Sequence, residues 1–122
     1  MSRKKSEFDK SVAILQERHN AIIDDIREKK LDAPGVADAI SDLCGDIQSL
    51  GEEQREKKEN MPESLQMGPT GELLEERADM CDETAEAFED AARSIEEIVD
   101  GVGNQNWPEE AASILAEVNW SM

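Results

Sequence analysis

His19, Cys44 and Cys81 are the chain's one imidazole and two thiols, so base, nucleophile or soft-metal chemistry would fall to them. A structural zinc site takes four Cys or His ligands, and these three are widely spread. A di-iron carboxylate bundle needs Glu-x-x-His repeated on its helices, but Gln16 stands three residues before His19. Calcium loops need close-set acids around a turn glycine, whereas the acids here recur at helical spacing. Gly68 to Gly71 lacks the lysine and the spacing of a phosphate-binding loop. His19 occupies an apolar seam position and reads as a buried polar side chain. Cys44 and Cys81 lie on or beside apolar seams and read as inert buried thiols. The expectation is a protein without catalytic residues, metal or cofactor, and not an enzyme.

The carboxylates carry the stronger signal. Thirty acidic residues against thirteen basic ones leave a net charge of −17. Residues 1–61 hold 14 acids and 11 bases, whereas residues 62–122 hold 16 acids and only Arg77 and Arg93. In the second half Glu75, Asp79, Asp82, Glu86, Glu89 and Glu96 form a stripe at helical spacing, interrupted by Arg93. At about 1.5 Å of rise per residue, its members follow one another every 5–6 Å or so, a spacing like that of phosphates on one nucleic-acid strand. Glu75, Glu76, Asp79, Asp82, Glu83, Glu86, Glu89 and Asp90 are therefore the candidate partner-binding residues. A solvated face that keeps a small bundle soluble is the plainer alternative. Against it stands the scarcity of lysines, since ordinary surface helices mix signs in i,i+4 pairs. Such a charge repels nucleic acid and anionic membranes, so the expected partner is a basic protein surface, for example a nucleic-acid-binding protein.

Helices must position these residues. No period-two alternation is sustained, aromatics are scarce, and the four prolines fall at breaks. The expectation is one all-α domain over 1–122, with a basic tail at 1–5. Phe8, Val12, Leu15, His19, Ile22 and Ile26 mark a first helix over 6–30, with Ser6 as its N-cap. Asp32 and Pro34 start a second helix over 33–59 with seam residues Val36, Ile40, Leu43, Ile47, Leu50 and Gln54. The short turn predicts an antiparallel hairpin over 6–59, pairing Ile26 with Val36 at one end and Phe8 with Gln54 at the other.

Residues 60–69 are a connection, with Met61, Leu65 and Met67 as apolar anchors. Thr70 caps a long acidic helix over 70–102. Its seam is Leu74, Arg77, Cys81, Thr84, Phe88, Ala91, Ile95, Ile98 and Val102, widened by Leu73, Met80 and Ala87. With Arg77 and Thr84 inside it, this seam reads as weaker than those of the hairpin. Asn106 and Glu109 resemble a capping box before a short helix of about 107–118, within a C-terminal region of 106–119. Trp107 and Trp120 mark a segment that docks on its own domain or on a second copy.

The segment Asn60-Met61-Pro62-Glu63-Ser64-Leu65-Gln66, followed by an acidic alanine-dotted helix, resembles small helical proteins of bacteria and their phages. The likeness covers roughly residues 52–100. It implies an all-helical fold and a phage or prophage setting, and carries no functional residue. The leading expectation is a non-enzymatic, phage-type binding protein that inhibits a nucleic-acid-binding host defence protein by mimicking phosphate charge. A homo-oligomeric scaffold assembled through helical seams is the alternative. With two unpaired thiols, no leader pattern and no apolar run long enough to span a bilayer, the expected compartment is the cytoplasm.

Overall fold

The computed structural model describes residues 7–100 and 105–120. The described residues form five helices and no strand: α1 (Glu7–Arg27), α2 (Ala33–Glu59), α3 (Glu63–Gln66), α4 (Pro69–Asp100) and α5 (Trp107–Ala116). The all-α expectation holds. The basic tail at 1–5, the expected cap Ser6 and the seam residue Val102 lie outside the described residues.

The first helix stops at Arg27, short of the expected residue 30. Lys29 adopts the left-handed conformation, with φ of 59°. Its amide donates to the Ile26 carbonyl at 3.1 Å and the Lys30 amide donates to the Asp25 carbonyl at 2.9 Å. This double closure satisfies carbonyls of the last turn, and it usually places glycine where Lys29 stands. The next helix begins as expected. Asp32 Oδ1 accepts the Gly35 amide at 2.8 Å and Pro34 sits in the first turn, where no amide donor is needed.

The connection differs from its expectation. Met67 and Leu65 are exposed, so they do not anchor it. Gln66 secures it instead, its Nε2 donating to the Met61 carbonyl at 2.9 Å. The acidic helix starts at Pro69 rather than at a Thr70 cap, and the Gly68 carbonyl accepts the Glu72 amide at 3.0 Å. Gly71 then passes so close to α3 that a Cβ there would lie 2.0 Å from the Gln66 carbonyl oxygen.

The packing order is the main correction. The sequence pairs the two hairpin helices with each other and gives the acidic helix the weaker inner face. Instead α2 and α4 form the most extensive helix pair, and α1 lies against both α5 and α2. The physical reason is side-chain size. A Cβ at Gly51 on α2 would lie 3.0 Å from Cys81 Cβ and 3.3 Å from the Ala78 carbonyl oxygen. Small residues at Gly51, Ala78, Cys81 and Ala85 let the two backbones approach closely, and all four are buried. The seam of α4 is therefore widened by Ala78 and Ala85. Leu73, expected to widen it, is 42 % exposed, and Met80 and Ala87 are only half-buried.

The core joins Phe8, Leu15, Ile26, Val36, Leu43, Ile47, Phe88, Ile95 and Leu115 into one cluster. The antiparallel sense of α1 and α2 follows the short turn, and Arg18 of α1 pairs with Asp46 of α2. Arg77, the odd residue of the α4 seam, is half-buried with its guanidinium carbon 4.8 Å from the Phe8 ring centre. It thus covers the end of α1 instead of leaving a charge inside. Asn106 precedes α5, but its side chain makes no capping bond, so the expected capping box is not formed. Glu109 reaches back to Arg27 at 3.7 Å and ties α5 to the end of α1.

Candidate partner-binding face

The acidic helix is straight in its sequence logic. Its apolar residues return every three or four positions, so its carboxylates collect on the opposite side. All eight candidate residues, Glu75, Glu76, Asp79, Asp82, Glu83, Glu86, Glu89 and Asp90, are exposed. A 32-residue helix holds them on one scaffold about 48 Å long.

Their surroundings divide them. Lys58 of α2 donates to Glu75 Oε2 at 2.6 Å. Arg55 of α2 reaches Asp79 at 3.5 Å and also pairs with Asp82. Gln48 Nε2 donates to Glu89 Oε1 at 3.4 Å. Asp90 pairs with Arg93 on its own helix. Glu76, Glu83 and Glu86 make no ion pair among the described residues, and neither do Glu72, Glu96 and Glu97. The expectation that only Arg77 and Arg93 oppose the α4 acids is corrected: Arg55 and Lys58, far off in the sequence, are brought alongside by the α2–α4 pairing. They partly neutralise Glu75, Asp79 and Asp82 and leave Glu76, Glu83 and Glu86 without an ion pair among the described residues.

The ionisation of the paired lane follows from these contacts. The Lys58 ammonium holds the Glu75 carboxyl below the usual carboxylate value of 4.5. Asp82 and Asp79 push the Arg55 guanidinium, always charged, further up. Solvent screens each pair, so they set charge distribution more than stability.

Comparison of the chain with known protein families, curated proteins and solved structures gives no match. The charge pattern and its geometry are thus the basis for any functional reading.

The imidazole and the two thiols are buried beneath this surface. His19 is buried between α1, α4 and α5, with Nε2 2.7 Å from the Leu115 carbonyl oxygen and Nδ1 3.1 Å from Trp120 Nε1. Cys44 and Cys81 are buried free thiols, each pushed up to about 11 by desolvation. Such thiols carry almost no thiolate at neutral pH and are poor nucleophiles. No group of three potential metal ligands converges among the described residues, and no described helix is long and apolar enough to cross a membrane.

Sequence reading missed two residues that shape the face, Arg55 and Lys58. Their positions at the polar end of α2 were visible. Their approach to α4 depended on which helix α2 would pack against.

Proposed function

We propose that this chain is a non-enzymatic binding protein whose α4 face engages a basic protein surface in place of nucleic-acid phosphates. The phage or prophage setting implied by the Asn60–Gln66 resemblance, and a cytoplasmic host protein as target, belong to the same proposal. The observation that carries it is the set of unbalanced carboxylates Glu76, Glu83 and Glu86 on a long helix. These residues are exposed and make no ion pair among the described residues, while Glu75, Asp79 and Asp82 are matched to Arg55 and Lys58 of α2. Fixed, exposed like charges raise the association rate with a basic partner and make it salt-sensitive.

The test is a triple reversal, Glu76→Lys, Glu83→Lys and Glu86→Lys, which leaves the Arg55 and Lys58 pairs intact. Wild-type protein used as bait in nuclease-treated host lysate should capture basic proteins that elute with salt and are displaced by added DNA. The variant, with unchanged helicity, should lose them. Equal capture by both proteins would sink the reading.

The homo-oligomer alternative draws on a different observation. Ile14, Leu65, Met67 and Leu73 are large apolar residues left exposed, Met67 at 83 %. Trp107 and Trp120, its expected anchors, are instead partly buried against the protein's own core. Sedimentation across a hundredfold concentration range separates the readings: a strict monomer removes the scaffold.

A further inference from the structure

A hydrogen-bond chain joins the stretch that follows α5 to the bundle, beside the packing of Val118 and Trp120 on the core. Trp120 Nε1 lies 3.1 Å from His19 Nδ1, and His19 Nε2 lies 2.7 Å from the Leu115 carbonyl oxygen. An indole N–H only donates and a carbonyl oxygen only accepts. His19 Nδ1 is therefore bare, Nε2 carries the proton, and the ring is neutral. Phe88 of α4, fully buried, forms the floor of the arrangement. Its ring stands edge-on to His19, with centres 4.7 Å apart, and edge-on to Trp120 at 5.6 Å.

We propose that His19 is a proton-operated latch for the segment Val118–Trp120. The neutral ring holds the indole over Phe88. A proton on Nδ1 sets two N–H groups against each other and frees the segment. The bond from Nε2 to Leu115 survives that change, because an imidazolium still donates there, so α5 stays docked while the segment beyond it moves. Release uncovers the His19–Phe88 floor as a small aromatic surface.

The surroundings favour such a device. An open groove of about 400 Å³, lined by Gln16, Asn20, Ala116, Val118 and Asn119 with His19 and Trp120, gives solvent a path to the ring. Among the described residues no ionised side chain offsets the cost of charging it. Glu17 on α1, Glu89 on α4 and Glu117 after α5 are exposed, and Arg18 is turned to Asp46 of α2. Cys44 of α2 is an uncharged thiol bonded to the Ala85 carbonyl. Burial lowers the pKa of His19 below 6.5, and the Leu115 carbonyl opposes this more weakly. The sign follows: the neutral ring is favoured by folding, so the latch is closed above pH 6.5 and opens as pH falls through the lower, folded value.

Trp107→Phe leaves Trp120 as the single tryptophan and a direct reporter. Between pH 8 and pH 5 its emission should shift to the red, with a midpoint below 6.5 and no change in far-ultraviolet helicity. Adding His19→Gln should remove that step. A step that persists in His19→Gln, or no step while His19 titrates, would overturn the latch. Long-range nitrogen–proton spectra of the unaltered protein test it independently of either variant. They should show a bare Nδ1 and a protonated Nε2 at pH 8. The opposite tautomer, or titration at or above 6.5, rejects the proposal.

Discussion

Lys58 Nζ on α2 lies 2.6 Å from Glu75 Oε2 on α4. The two residues belong to helices whose apolar seams alone do not say which flank meets which. Their contact shows that the polar end of α2 runs beside the start of α4. It also means that the acidic helix is partly balanced from within the molecule.

This pairing has a pH signature. The folded-state pKa of Glu75 is lowered from 4.5, chiefly by the hydrogen bond from Lys58. A depressed carboxylate contributes stability above its unfolded pKa and loses it as pH falls through the folded value. Lys58→Met should move the Glu75 midpoint back up toward 4.5 in a carboxylate NMR titration. Global stability should hardly change, because Glu75 is exposed. An unmoved midpoint would mean that the pair is not populated in solution.

Gln54 is the weak point of the core. It is 1 % exposed, its Nε2 donates to the Leu50 carbonyl at a long 3.4 Å, and its Oε1 has no partner among the described residues. An orphaned buried acceptor costs about 1–3 kcal/mol. Gln54→Leu should therefore raise the urea midpoint, by the equivalent of about 1–2 kcal/mol. A lower midpoint would show that the amide contributes more than its geometry indicates.

Two glycines should respond in opposite directions. Gly45 is exposed in the middle of α2, and a Cβ there meets nothing within 4 Å. Gly45→Ala should stabilise by about 1 kcal/mol, the helix-propensity difference. Gly71 has the Gln66 backbone where its Cβ would go. Gly71→Ala must displace α3 from the start of α4 and should lower the thermal midpoint by several degrees, since about 1 kcal/mol shifts it by some 4 °C in a domain of this size. Equal behaviour of the two variants would contradict the close approach.

Much of the helical arrangement was legible because helical periodicity is local. The bounds of α2 were read to the residue, since Asp32, Pro34 and the break at Asn60-Met61-Pro62 are local signals. The end of α1 was not, because a left-handed lysine replaces the usual glycine. Exposure of the eight candidate acids also followed from period alone. Their division into paired and unpaired residues did not.

Period, caps and charge count, all contained in short windows of sequence, determined an all-α chain with one strongly acidic helix. Which helices would touch was decided by volume matching across the whole chain, where Gly51, Ala78, Cys81 and Ala85 admit a backbone approach that no window reveals. The same holds for His19. Its seam position was plain, but its tautomer is set by partners 96 and 101 residues away, which only the folded bundle brings to its ring nitrogens.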